Sequence, residues 1–207
     1  MSIQALIIES QPLVRVGIGA ILANESDIDV IGEAGTAGEG FTLFTTRRPD
    51  VVLLSLRMPD SCAIDDLGSY FETDPKARII ILAERPGDAE ISRALKQGAA
   101  GYVTKDIDPS QLVEAIRRVA AGGKFIPANV AEVLTENLGS EELTPAESTV
   151  LRMVVGGMSN KEIAFALDVS ENTVKSHVSN IFDKMGVSDR TTAATTAIKR
   201  GLVRVDI

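Results

Sequence analysis

The sequence predicts two domains of different class: an α/β domain of (βα)5 type with a parallel sheet, then a linker, then a small all-α domain of four helices. Three observations carry this. Short apolar runs alternate with helical stretches five times in residues 1–121, glycines and acidic residues break the pattern in 122–142, and helix-start signals recur over 143–207 with no strand pattern between them. A chain of 207 residues is long enough to bury a core in each domain.

Residues 5–8, 28–31, 51–54, 79–82 and 102–103 read as the strands. Several are β-branched and apolar throughout, as strands covered on both faces must be. Residues 13–23, 37–46, 64–72, 88–97 and 109–121 read as the intervening helices, which places helices on both sides of the sheet. Ligands of such sheets collect beyond the carboxyl ends of the strands, at the topological switch point. The residues there are Glu9, Ser10, Ser55, Ala83 and Lys105. After the fifth helix Gly122-Gly123 closes the pattern, 126–138 reads as a short connecting helix, and Gly139-Ser140-Glu141-Glu142 reads as a flexible linker.

Composition narrows the function. No apolar run approaches the roughly 18 to 20 residues that cross a bilayer, and the N-terminus lacks a basic start and cleavage pattern, so no membrane association and a cytoplasmic location are expected. A single cysteine, Cys62, excludes an internal disulfide framework, and a single histidine, His177, leaves no cluster for a structural metal. No cofactor is expected. The net charge of −8 is uneven: residues 1–138 hold 13 basic against 20 acidic side chains, whereas 159–204 hold 7 against 5. That +2 patch fits weak binding of DNA phosphates by one module, and a need for a second copy.

Residues 1–121 resemble a response-regulator receiver domain, which is flavodoxin-like. The resemblance rests on Ile7-Ile8-Glu9-Ser10-Gln11-Pro12, on Val51-Val52-Leu53-Leu54-Ser55 with its Met58-Pro59 turn, and on Gly98-Ala99-Ala100-Gly101-Tyr102-Val103-Thr104-Lys105. It implies that the acidic pair of the family has become Glu9 and Ser10, the phospho-accepting aspartate has become Ser55, and the hydroxyl that reads the phosphate has become Ala83. Receiver chemistry needs a carboxylate nucleophile and a Mg²⁺ held by hard oxygen ligands, so this site is expected to be degenerate, with no catalytic residue and no metal. Lys105 then faces Glu9. The pair reads as a structural salt bridge, as part of a small anion or metabolite pocket with Ser10 and Ser55 that a small-molecule or protein regulator would use, or as the setting for phosphorylation of Ser55 by another kinase. In the loop that follows, Asp60, Asp65 and Asp66 read either as a displaced metal site or as acids at a helix start. Cys62 reads as an ordinary loop cysteine or a redox sensor, and Tyr102 as packing.

Thr144 caps a helix that begins at Pro145, and Glu147 completes a capping box. A second helix spans 159–167, Asp168-Val169 makes a tight turn, and Ser170 caps a third helix. In the third, Val174, Val178, Ile181 and Met185 form one apolar stripe, leaving Asn172, Lys175, Ser176, Ser179 and Asn180 opposite. A helix, a short turn and a helix with a polar outer face make a helix-turn-helix. The runs Leu143-Thr144-Pro145-Ala146-Glu147, Ser159-Asn160-Lys161-Glu162-Ile163-Ala164 and Thr173-Val174-Lys175-Ser176-His177-Val178 resemble the LuxR-type output domain of NarL/FixJ response regulators. That resemblance implies Lys175, Ser176 and Ser179 at base edges, and Ser159, Asn160, Lys161, Thr173 and Lys184 at phosphates. Ser179 stands where many relatives have lysine, and Asp183 repels phosphate, so intrinsic affinity should be low.

The expected function is that of a sequence-specific transcriptional regulator, not an enzyme: an atypical orphan response regulator of the two-component type that binds double-stranded DNA as a homodimer without phosphorylation. The resemblance implies a receiver interface on the first and fifth helices, where Val14, Ile18 and Ile21 and likewise Leu112, Ile116 and Val119 repeat near helical spacing, and a second contact is expected from the final helix over 190–200. The alternative is a protein-interaction adaptor or anti-activator with residual DNA binding. A conventional phospho-acceptor is opposed by Ser10 and Ser55.

Overall fold

A computed structural model describes residues 2–85, 87–136 and 141–203. It divides into two units, Met1–Pro86 with Ile91–Val133 and Gly87–Glu90 with Leu134–Ile207. The first holds five strands: β1 (Ile3–Ile8), β2 (Ile28–Ala34), β3 (Val51–Ser55), β4 (Ile79–Ala83) and β5 (Gly101–Thr104). They pair in parallel in the order β2-β1-β3-β4-β5, so the chain turns outward to β2 and then crosses to β3, which puts the switch point between β1 and β3. Register pairs Ile8 with Leu54, Ser55 with Leu82 and Ala83 with Thr104. The strand ends are therefore level, and Glu9, Ser55, Ala83 and Lys105 share one carboxyl edge.

Every residue of β3 and β4 is buried, as apolar strands flanked on both sides must be. β2 extends three residues past its apolar run because it lies at the sheet's edge, where Glu33 faces outward. Helices α1 (Pro12–Leu22), α2 (Ala37–Arg47), α3 (Ala63–Thr73), α4 (Asp88–Lys96) and α5 (Pro109–Ala120) follow the strands. The stripes of α1 and α5 expected to mediate association are instead largely core. Ile18, Leu112, Ile116 and Val119 are buried against Ile7, Leu53 and Val103, and Val14 and Ile21 pack on the same cluster. The large apolar side chains that α1 exposes are Leu13 and Val16, at 88% and 64%. One helical period serves core and interface alike, so the spacing alone does not separate them.

The connecting helix α6 spans Ala128–Glu136, and Gly139-Ser140 of the expected linker falls outside the described residues. The second unit contains α7 (Pro145–Val155), α8 (Asn160–Leu167), α9 (Glu171–Met185) and α10 (Arg190–Lys199). Thr144, Ser159, Ser170 and Asp189 each cap a helix with a side-chain oxygen, so every start is written locally in the sequence. Asp168 ends α8 in the left-handed region at φ 53°, which a short polar side chain tolerates better than most. Helix α9 packs on α7 and α8 through Val174, Ile181 and Met185, and α10 packs on α7 and α9. Among the described residues no helix is long and apolar enough to cross a membrane.

Gly40 marks the tightest approach of α2 to the sheet, because a Cβ there would lie 2.6 Å from side-chain carbons of the buried Ile8. Gly40→Ala is expected to destabilise the first unit by about 1–3 kcal/mol through overpacking. Urea unfolding should show a lowered midpoint with an unchanged slope, and an unchanged midpoint would mean that Ile8 moves aside freely.

Candidate functional site

Two sets of residues were singled out by the sequence, one in each unit. At the carboxyl edge of the sheet Glu9 is fully buried, and Lys105 has only 11% of its side chain exposed. The Lys105 ammonium donates to Oε1 of Glu9 at 3.1 Å and lies 2.9 Å from Oε2, which takes no well-aligned hydrogen bond. Oε1 also accepts from the backbone N–H of Gln11 at 2.8 Å, and Arg15 donates to the Glu9 carbonyl. Ser55 is fully buried and donates to the carbonyl of Arg57 at 3.2 Å. Ser10 is half-buried, and Ala83 serves through its carbonyl, which accepts from Lys105 N–H at 2.7 Å. A Mg²⁺ requires near-octahedral hard oxygens. Here the Glu9 carboxylate is already matched by an ammonium, and its neighbours offer neutral hydroxyls, so this donor set does not fit the ion. Among the described residues no group of three or more His, Cys, Asp or Glu side chains could hold a metal.

The acids of the following loop have separate partners. Asp60 accepts from the N–H groups of Ala37 and Gly38 at 2.9 and 3.0 Å, and those bonds hold its carboxyl below the usual range. With Thr36 bonded to Glu39 N–H, three orphan donors of α2 are satisfied. Asp66 accepts from Ser61, and Asp65 lies 3.3 Å from Arg93. Cys62 is buried beside Arg57, an inaccessible place for a redox sensor. Tyr102 is fully buried, in keeping with packing.

In the second unit α9 turns Lys175, Ser176 and Ser179 outward, all exposed and on the side opposite Val174, Ile181 and Met185. Lys175 lies 3.2 Å from Glu171 in a solvent-exposed pair, which is weak enough to yield to a stronger partner. Ser176 Oγ donates to the Asn172 carbonyl, and Thr173 is bonded to the capping Ser170. Ser159 caps α8 in a box with Glu162, and Lys161 projects from its first turn, exposed.

Three charged residues give this surface its geometry, and the sequence reading missed how. Lys184 donates to Oε2 of Glu147 at 2.8 Å, with 19% and 4% of the two side chains exposed, and also to the Glu142 carbonyl. Glu147 thereby joins the capping box of α7 to the last turn of α9. The Lys184 ammonium, followed by the Thr144 N–H, pulls its carboxyl down to about 2. Arg190 donates to the Met158 carbonyl and to Asn160 Oδ1, tying α10 to the start of α8. Lys184 and Asn160 thus have structural partners besides the phosphates expected for them. Their spacing of 37 and 30 residues from Glu147 and Arg190 carries no local signal.

Residues 5–117 match the model of the response regulator receiver domain, and residues 141–197 match that of bacterial regulatory proteins of the luxR family. The chain is 34% identical over 204 residues to the transcriptional regulatory protein MctR of Rhizobium johnstonii, covering 97% of this chain and 95% of that protein. It is 33% identical over 198 residues to the nitrate/nitrite response regulator protein NarL of Escherichia coli, covering 91% and 92%. Among solved structures it is similar to RcsB, seen as two dimers bound to two parallel DNAs, with TM-score 0.75, 25% identity and coverage of 96% and 99%.

The Glu147–Lys184 pair has a pH signature. Its folded carboxyl lies near 2 against an ordinary 4.5, so its stabilisation is complete above 4.5 and is lost as pH falls toward 2. Glu147→Gln is expected to cost about 3 kcal/mol at neutral pH, because it leaves a largely buried ammonium without its counter-charge. Thermal unfolding followed by circular dichroism should show the gap between wild type and variant closing as pH drops through this window. A gap that persists unchanged to the acid end would assign the loss to the cap alone.

Proposed function

The chain belongs to the response regulators that join a receiver domain to a luxR-family DNA-binding domain, and on that premise we propose that it regulates transcription through a receiver that works without phosphorylation. The assignment of domains is 1–121 for the receiver, 122–142 for the linker and 143–207 for the output domain. Its place of action is the cytoplasm, where the DNA is. The observation that carries the reading is the closed Glu9–Lys105 pair beside a buried, neutral Ser55. Phosphoryl transfer demands an accessible carboxylate and a metal to offset developing charge, and neither requirement is met by these residues.

DNA recognition is assigned to α9. Lys175, Ser176 and Ser179 read base edges, while Ser159, Asn160, Lys161 and Thr173 meet phosphates, with Lys184 dividing its ammonium between Glu147 and the backbone of the duplex. Binding by two copies follows from the near-neutral module, since each half-site reader gains affinity from its tethered partner without any new contact. Leu13 and Val16 on α1, and Ile198 on α10 at 48% exposure, supply apolar surface for such pairing. With phosphate removed as an input, the controlling signal is protein concentration, or a small-molecule or protein regulator at the receiver.

Acetyl phosphate with Mg²⁺ is expected to leave both intact mass and DNA affinity unchanged, and sedimentation with a two-half-site duplex should show two untreated chains per site. An adduct that disappears in Ser55→Ala, or a single chain at saturation, would overturn the reading. For base readout, Lys175→Ala and Ser176→Ala should each lose about 1–3 kcal/mol on a specific site, whereas Lys161→Ala should weaken all sequences alike and flatten the salt dependence. Titrations at several salt concentrations separate these effects. Equal losses on specific and random DNA for every variant would remove base readout and favour the adaptor role.

A further inference from the structure

Asn160 opens α8 directly after the capping Ser159, and among the described residues its side-chain amide makes one hydrogen bond, in which Oδ1 accepts from Nη1 of Arg190 at 3.3 Å. Arg190, the first residue of α10, is itself held by a second bond, from Nη2 to the Met158 carbonyl. A guanidinium carries donors only, so the amide can face it in one way, with its oxygen inward. The reverse orientation would set the N–H groups of two side chains against each other. Nδ2 is therefore directed away from Arg190. It has no partner among the described residues, and although Asn160 is half-buried, this nitrogen is not sealed from solvent.

The neighbouring donors at the start of α8 are placed differently. Ser159 already gives both its hydroxyl and its N–H to Glu162 at 2.7 Å, so it meets a phosphate only by giving up one of those bonds. Lys161 carries its charge on a long, exposed stem. Asn160 stands between them as a free, uncharged donor on a short side chain whose direction is set. That direction decides its effect on DNA, because an amide attracts a phosphate through its nitrogen and repels it through its oxygen. We propose that Arg190 is a positioning residue for DNA, holding the Asn160 amide with Nδ2 outward as a donor to a phosphate of the duplex. The inference deepens the DNA-binding reading and rests on it. Two features suit Arg190 to this task. Its bond to the Met158 carbonyl anchors the guanidinium to the backbone just before Asn160, so the amide is oriented against a fixed point. Its positive charge also draws electron density toward Oδ1, which makes Nδ2 a stronger donor, as hydrogen bonds in series polarise one another.

Fluorescence anisotropy of the full chain with a short labelled duplex of random sequence tests this, because a phosphate contact acts on every sequence. Asn160→Ala and Arg190→Ala should each weaken binding by about tenfold, the loss expected for one hydrogen bond to a charged group. Arg190→Ala introduced into Asn160→Ala should cost less than about twofold more, since its effect passes through the amide already removed. Both single variants should give salt titrations parallel to that of wild type, as a neutral donor displaces no counterion. Arg190→Lys keeps a donor-only group and should bind more tightly than Arg190→Ala. Asn160→Asp separates the contact from the fold: its carboxylate still accepts from Arg190 and should melt no lower than wild type, yet it lacks the donor and should bind at least about tenfold more weakly. A wild type that binds no duplex would overturn the DNA-binding reading, and this role with it. Where wild type binds, undiminished binding by Asn160→Ala or Asn160→Asp, or an equal loss from Arg190→Ala in both backgrounds, would overturn this role alone. So would a flattened salt dependence in Arg190→Ala, which would make Arg190 a direct ligand of the phosphate.

Discussion

The ion pair between Glu9 and Lys105 sets the terms for the whole sheet edge. A carboxylate with no solvent exposure is tolerated only if a cation and hydrogen bonds replace the water it has lost. Glu9 has both, from the Lys105 ammonium and the Gln11 N–H. The pair joins residues that follow β1 and β5, which are three strand spacings apart in the sheet, about 14 Å at the usual separation. Lys105 therefore reaches across the ends of β3 and β4, where Ser55 and Ala83 stand. Both are small and uncharged. A carboxylate at 55 would compete with Glu9 for the same ammonium, and a bulkier side chain at 83 would stand in its path, so these two residues leave the pair room to close.

The second unit solves a similar problem with a similar device. The exposed face of α9 carries Lys175, Ser176 and Ser179, and a helix presents a face usefully only if its rotation and tilt are held. Apolar packing through Val174, Ile181 and Met185 holds the rotation. The Glu147–Lys184 pair adds a directional tie at the far end of the helix, and Arg190 adds another at the start of α8. A buried or half-buried pair contributes less to net stability than its Coulomb attraction implies, because desolvation offsets much of it. Its clearer effect is to penalise any arrangement in which one partner is left alone.

Local signals explain which parts of this were legible in the sequence. Every strand and helix was expected in its place, since β-branched runs, capping residues such as Thr144 and Ser159, and glycine stops act within a few residues of where they stand. The pairing of Glu9 with Lys105 was legible because the strand order of such a sheet places both at one edge. What escaped was either nonlocal or ambiguous in period. In the sequence Asp60 reads as a metal ligand or a helix-start acid of its own loop, whereas it caps α2, more than 20 residues earlier in the chain. Lys184 carries the same positive charge whether its partner is a phosphate or Glu147, and only packing reveals the latter. The stripes of α1 and α5 could not be divided between core and interface by periodicity, because both demands repeat at the same 3.6-residue interval.

Charge, finally, constrains how such a protein can act at all. The output segment over 159–204 carries only two net positive charges, on a chain whose total is −8. Nonspecific attraction to DNA scales with the phosphates neutralised, so a single module is held weakly and the acidic remainder opposes approach. Weak nonspecific binding has an advantage: fewer chains are lost to random sequence, and occupancy depends more on correct base contacts and on a second copy. Tethering of two such modules would multiply specific contacts while adding nothing to the electrostatic background.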